Sequence, residues 1–409
     1  MFSRTRLCSA LELLFGHLAC KDPDSFTKLP AGDGNSGITD LFQYYQPCEL
    51  DQFITGLAAT LCASVPDSDC ISRVESLRGA VSVDLSYDTT SETLKLEALW
   101  PRKLQAMSAE PIDGHKTELG VFTTDPSGGD AHELGVGGFL ASTPADKKEP
   151  NVLAFAVPSR HRRAQASFSA EFLTPQGLHP SLQLSISSAS PPLEYEDQGA
   201  CDLYAYLTLP RTIFADRYQL AGDLFLASKN LSSLTFASEP VDLEMPEYKT
   251  PTWGSTVLLE LAPPETSTDD VPSSWTAEIP LHLRYMAPTE GGLAEALVPY
   301  PAVFWACEAG AKAGFSGNPW DRESLGYDAL FSPTTGFWHV EPQPTSEGAD
   351  LVVRTKVPVL APERLGWVEL GTAAAILAGF AWVLYALFSA SRVKDDSKPK
   401  GAARVKKDQ

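Results

Sequence analysis

The chain lacks the residue groupings on which many enzymes depend. It has no G-x-S-x-G elbow, no G-x-x-x-x-G-K-[ST] loop and no H-E-x-x-H helix, which argues against the serine-hydrolase, P-loop and zincin classes. Its seven cysteines include no C-x-x-C pair and no Cys/His cluster at zinc spacing, so neither a metal site nor any other cofactor is expected. Methionine is scarce at four residues, and a Met-rich adaptable surface of the kind promiscuous binders use is missing. Long helical patterns are few: only 48–65, CELDQFITGLAATLCASV, is clearly helical. Positive charge is also in short supply, with 32 Lys and Arg against 52 Asp and Glu and a net charge of −20. That balance argues against nucleic acid and against an anionic membrane surface as partners.

The chain does have a long apolar run. Leu370 to Ala390, LGTAAAILAGFAWVLYALFSA, carries no charge over 21 residues. As a helix it rises about 31 Å, the thickness of a bilayer's hydrocarbon core. A soluble core helix is rarely this long and this apolar on every face. Trp382 and Tyr385 lie within the run and Trp367 just before it, near an expected interface. The tail after Ser391 holds seven basic and three acidic residues, leaving the first 369 residues a net charge of −24. Basic residues flanking a span stay cytosolic. The expected topology is therefore single-pass, with the N-terminal bulk lumenal and a cytosolic tail at 391–409. The final Lys-Lys-Asp-Gln places Lys406 and Lys407 where a dilysine retrieval signal stands, which points to the endoplasmic reticulum membrane; the bland alternative is a solvated basic tail. The start, MFSRTRLCSALELLFGHLAC, has the basic opening and short apolar run of a signal peptide. Glu12 and His17 interrupt the run, so it reads as a cleaved signal, an atypical one, or an unreliable start.

The rest reads as strands between Pro/Gly-rich turns. Val81, Val83, Leu85 and Tyr87 share one strand face, and Leu94, Leu96, Ala98 and Trp100 another. Leu182, Leu184 and Ile186 alternate, as do Leu281, Leu283 and Tyr285, which are expected to point inward. Turn-rich loops are expected at 21–37, 123–131, 142–150, 262–274 and 341–349. The expected class is mainly β, with β-sandwich-like lumenal domains followed by one transmembrane helix. We divide the chain into an N-terminal segment at 1–74, with the candidate signal and a short helix, a β-rich domain at 75–190, a second at 200–362, the span at 370–390 and the tail. The segment 187–199, SSASPPLEYEDQG, marks the clearest break.

An oxidising lumen permits disulfides. Cys62 with Cys70, or either with Cys48, is a plausible local pair; Cys201 with Cys307 would close the second domain; buried free thiols are the alternative. Asn230-Leu231-Ser232 is the only N-glycosylation sequon. Asp67-Ser68-Asp69 has the D-x-D form of some glycosyltransferases, but no nucleotide-binding α/β pattern surrounds it and a solvated turn is the ordinary reading. The basic run SRHRR at 159–163 reads as a solvated loop more readily than as a phosphate site. His282 and Arg284 alternate with Leu281 and Leu283, which suits a polar outer face or an interface better than an isolated general base.

The block CDLYAYLTLPRTIFADRYQL (201–220), with Phe214, Asp216, Tyr218 and Leu220 after its Leu-Pro, resembles the core of the PIG-X family, whose fungal members are called Pbn proteins. The resemblance continues through DLEMPEYKTPTWGSTVLLEL (242–261), IPLHLRYMAP (279–288), YPAVFWAC (300–307) and NPWDRESLGYDALF (318–331), and spans roughly 80–390. LTPQGLHPSLQLS (173–185) and SRHRR resemble the upstream half of fungal members. The family implies a non-catalytic subunit that stabilises the multispan catalytic partner of glycosylphosphatidylinositol (GPI) mannosyltransferase I. That enzyme adds the first mannose to GPI precursors from dolichol-phosphate-mannose. The alternative reading is a more general lumenal folding factor; an enzyme in its own right is disfavoured by the missing motifs.

Overall fold

The computed structural model describes residues 4–16, 18–30, 41–47, 50–62, 68–80, 82–99, 116–124, 135–144, 151–158, 160–174, 177–191, 201–238, 242–264, 274–308, 325–346 and 350–395. It is mainly β, with one long apolar helix at the C-terminal end.

Apolar spacing accounts for the first elements. Helix α1 (Arg4–Phe15), α2 (Leu50–Leu61) and α3 (Ser68–Glu75) are joined through a core in which Phe53, Ile54 and Leu57 of α2 meet Cys62, Val74 and Leu77. Phe15 of α1 stacks on Phe53 with ring centroids 4.3 Å apart. Cys8 is bridged to Cys20, and both are buried beside Leu18, Phe26 and Tyr44. Within the run read as a candidate signal, Cys8, Leu11, Phe15, Leu18 and Cys20 thus pack against residues from later in the chain, Phe26, Tyr44 and Phe53 among them. Strands β1 (Thr27–Leu29) and β2 (Leu41–Gln43) pair antiparallel. Trp253 donates its Nε1–H to Thr27 Oγ1 and Gln43 O, both at 3.0 Å, fastening this ribbon to the large sheet.

Strands β3 (Ser82–Asp88) and β4 (Thr93–Leu99) form a hairpin in which Val83 opposes Ala98, Leu85 opposes Leu96 and Tyr87 opposes Leu94. The two alternating patterns fall on one face, as period-2 geometry requires. Leu94 and Leu96 nevertheless remain exposed. Strands β5 (Thr117–Thr124), β6 (Gly135–Thr143) and β7 (Asn151–Pro158) make a three-stranded antiparallel sheet.

The large sheet draws on β8 (His161–Phe172), β9 (Ser181–Ile186), β10 (Cys201–Pro210), β12 (Leu231–Ala237), β13 (Gly254–Leu261), β14 (Trp275–Pro280), β17 (Ala302–Glu308) and β18 (Thr335–Pro342). The intervening strands are β11 (Ile213–Phe214), β15 (His282–Leu283) and β16 (Leu293–Pro299), with a short helix α4 (Asp223–Ala227) before β12. The spatial order is β12-β13-β10-β17-β18-β8-β9-β14; β18 and β8 run parallel and the other neighbours antiparallel. Its two edges approach each other. Glu278 N donates to Lys229 O at 3.0 Å, Asn230 Nδ2 donates to Thr276 O at 2.7 Å, and Lys229 pairs with Glu278. The sheet therefore curls into a near-barrel, which leaves little open edge. Strands on either side of 187–199 are neighbours within it, so the division drawn there does not follow the sheet. Local turn composition is blind to hydrogen bonding between strands distant in sequence.

On β10, Leu203, Ala205, Leu207 and Leu209 alternate with Tyr204 and Tyr206. Tyr206 joins Leu258, Phe304, Tyr327 and Phe337 in an aromatic-rich cluster, with Tyr204 packed against it. Both sides of β10 are thereby largely covered.

Contacts divide the chain into residues 1–286 with 295–355, and 287–294 with 356–409. In the second unit, Val359 N donates to Gly292 O at 3.0 Å, beside a turn in which Gly291 and Gly292 have φ of 80° and 72°. A side chain is strained in that left-handed region. After strand β19 (Val352–Pro358), helix α5 (Leu365–Asp395) runs for 31 residues. Its apolar side chains are exposed, Leu370 by 64%, Phe380 by 61% and Phe388 by 67%. Apolar exposure on this scale suits lipid, and the segment Pro362–Ala390 qualifies as a membrane span by length and composition.

Candidate functional site, a ribbon and cleft beside the large sheet

The block that begins at Cys201 leaves the large sheet at Pro210 and makes a two-residue strand, β11, paired to β15 with Ile213 opposite Leu283 and Phe214 opposite His282. The crossing is tight. A Cβ on Gly254, which pairs with Pro210 at the start of β13, would overlap the Leu209 carbonyl oxygen, so only glycine fits. After β11 the chain turns on Asp216, whose Oδ1 accepts from Tyr218 N at 2.8 Å and Gln219 N at 3.4 Å.

That turn presents Gln219 to His282, with Oε1 and Nε2 2.9 Å apart. His282 Nδ1 faces His179 Nδ1 at 3.0 Å, and Phe214 stacks on the His282 ring. A single proton between the two Nδ1 atoms satisfies the pair; two would place donors face to face. Burial first, and then the positive charge His179 can carry, push His282 below its ordinary value, with Asp216 opposing.

Arg284 is the most deeply placed charge of the ribbon, at 6% exposure. Its Nη1 donates to the carbonyls of Asp242 and Met245, the latter at 2.8 Å, and its guanidinium lies 4.5 Å from the Phe214 ring centroid. Burial lowers its affinity for the proton, and Asp242 opposes that shift. Beside it a cleft is lined by Arg211, Thr250, Thr252, Gly254 and Ser255. Arg211 stands 3.8 Å from Glu247 across the rim. The expected alternation therefore stops at Leu283. Leu281 and Leu283 point inward as anticipated, but Arg284 is buried and Tyr285 is 69% exposed. The pairing with β11 closes on Arg284 N, which donates to Thr212 O at 2.9 Å in the same antiparallel register. Tyr218, Tyr248 and Tyr285 stand exposed in these same segments.

The other expected positions lie elsewhere. Cys62 is joined to Cys70, and Cys201 to Cys307 at directly opposed positions of β10 and β17. Cys8–Cys20 is a third bridge that the reading of that stretch as targeting sequence passed over. Cys48, Asp67, Lys406 and Lys407 lie outside the described residues, and Asp69 sits on α3. Asn230 is exposed, with φ of 55°, at the turn into β12. The run read as a basic loop at 159–163 is mostly strand β8. Arg160 donates to the carbonyls of Asp328, Ser332 and Thr335, Arg162 lies over Trp338, and Arg163 pairs with Glu341. Its charges are thus largely engaged by β18 and the turns before it. Among the described residues no three His, Cys, Asp or Glu side chains gather as a metal site.

Fold and site together define a β-rich body followed by one candidate membrane-spanning helix. The PIG-X / PBN1 family model matches residues 175–388, from just before β9 into α5. Protein pbn1 of Neurospora crassa is 48% identical over 98% of this chain and 79% of its own length. Protein PBN1 of Gibberella zeae is 44% identical over the same shares, and protein pbn1 of Emericella nidulans 39% over 94% and 76%. The chain belongs to the PIG-X / PBN1 family.

Proposed function

We propose that this protein is the non-catalytic, stabilising subunit of glycosylphosphatidylinositol mannosyltransferase I, acting on the lumenal face of the endoplasmic reticulum beside a multispan catalytic partner. The observation that carries the reading is the family match extending from the large sheet into the apolar helix. A body tethered to a bilayer is suited to packing on lumenal loops of a membrane-embedded enzyme. In this reading the body is lumenal, Asn230 carries a glycan, and Lys406 and Lys407 return escaped molecules from the Golgi.

A subunit that binds the folded partner and not its unfolded form stabilises it by mass action. Depleting this protein should lower the abundance of the catalytic subunit, accumulate unmannosylated GPI precursor and thin GPI-anchored proteins at the cell surface. The decisive assay supplies donor and acceptor lipids to each purified subunit and to the pair. Transfer by the pair alone is the expected result; mannose transfer by this chain alone would overturn the non-catalytic reading.

A further inference from the structure

We propose that His179 and His282 form an acid-released latch, which holds the strap 177–180 against β15 at neutral pH and lets it go when both rings are protonated. The strap carries the β9 edge past the end of β14. Pro280 opposes Ser181 where β14 pairs with β9. Beyond that pair, Leu281 N donates to Pro180 O at 2.9 Å and Leu283 N to Leu178 O at 2.8 Å. His282 therefore stands directly opposite His179, between two hydrogen-bonded positions. Side chains approach most closely at such a place in an antiparallel pair, and like charges directly opposed are destabilising there. The two rings meet edge to face, with centroids 4.5 Å apart and the Nδ1 atoms at 3.0 Å.

Gln219 sets how many protons this contact can hold. Its Oε1 lies 2.9 Å from His282 Nε2, so that nitrogen carries a proton and Nδ1 is left to accept from His179 Nδ1–H. A first added proton goes to His179 Nε2, away from the contact, and strengthens the bond by making its donor cationic. A second proton must go to His282 Nδ1, where it meets His179 Nδ1–H head on and sets two cations side by side. Burial first, and then the charge on His179, oppose that step. Asp216, in the turn after β11, favours it, but its Oδ1 already accepts from Tyr218 N and Gln219 N. Arg284 shares the Phe214 ring with His282 and is a further cation beside the pair. The folded chain thus binds this proton more weakly than the unfolded chain does. The latch contributes fully above the ordinary histidine value of 6.5 and is lost as pH falls through the lowered value of His282.

The latch rests on the geometry of this chain and not on the function proposed above, and its test needs neither partner nor transfer assay. Amide hydrogen exchange of the full chain in detergent is followed at about pH 7.5 and about pH 5, with each rate corrected for the intrinsic effect of pH. The Leu281 and Leu283 amides report the strap, because their bonds go to Pro180 and Leu178. On acidification their protection should fall about fivefold, the worth of one hydrogen bond, while Leu258 and Leu259 of β13 keep theirs. His179→Asn offers an uncharged donor at the same place and should hold the protection at both pH values. His179→Ala removes the latch and should bring the protection at neutral pH down to the acid level. Protection of Leu281 and Leu283 that is unchanged by acid, a fall that persists in both variants, or a loss in step with β13 overturns the latch.

Discussion

Asn230 combines a proposed role with an observed one. Its sequon makes it the proposed glycan acceptor; in the fold it occupies a left-handed turn and bonds Thr276 O where the edges of the large sheet meet. Asparagine tolerates that backbone region better than most residues. Asn230→Gln should therefore remove the glycan and also cost about 1–2 kcal/mol through the turn and the lost bond. Ser232→Ala breaks the sequon while leaving Asn230 in place, and should change stability by less than about 0.5 kcal/mol. Gel mobility should show the same loss of one glycan in both, and urea unfolding of the deglycosylated proteins should separate them. Equal stability would mean that Asn230 contributes nothing to closing the sheet. The sequon was plain in the sequence. The structural role was hidden because Thr276 lies 46 positions away.

At the scale of elements, alternation located strands better than it located burial. Leu182, Leu184 and Ile186 alternate and are buried in β9 as the pattern suggests. Leu94 and Leu96 alternate as well as any, yet stay exposed in the β3–β4 hairpin. Around β15 the pattern holds for Leu281 and Leu283 and then reverses. Leu283→Asp should place an unpaired charge in the interior and cost about 3 kcal/mol or more. Tyr285→Asp, two residues on, should cost less than about 0.5 kcal/mol in the isolated protein. Denaturant midpoints of the two variants measure the contrast directly. Equal destabilisation would place Tyr285 in the core and return the face to the simple alternating assignment. The cleft was legible only in part: Arg284 stood out beside His282, but nothing in its neighbourhood announced that Thr250, Thr252 and Arg211 would join it.

For the whole molecule, charge and hydropathy speak about placement. In the proposed topology the −24 of the first 369 residues belongs to the lumenal side and the basic tail to the cytosol. Changing Lys406 and Lys407 together to Ser should let a fraction of the protein reach the Golgi, seen as outer-chain processing of its glycan. Residence unaltered by that change would mean that the span or the partner, and not the tail, retains the protein. The near-barrel has a consequence on the same scale. Strands separated by the whole of 173–334 lie side by side where β8 meets β18, so truncation near residue 190 would strip neighbours from the strands that remain rather than release a free domain.

Sequence alone was enough for the mainly β character, the apolar helix and the family blocks. These depend on composition and on short-range periodicity, which a chain carries whatever its fold. Only the tertiary structure decided which strands are neighbours, that Cys8, Leu18 and Cys20 are buried with Cys8 and Cys20 in a disulfide, that the basic run at 160–163 is engaged along β18, and that Arg284 is buried while Tyr285 is not. Each of these rests on contacts between residues far apart in the chain. Burial and pairing are properties of the space around a side chain, and that space is supplied by distant residues.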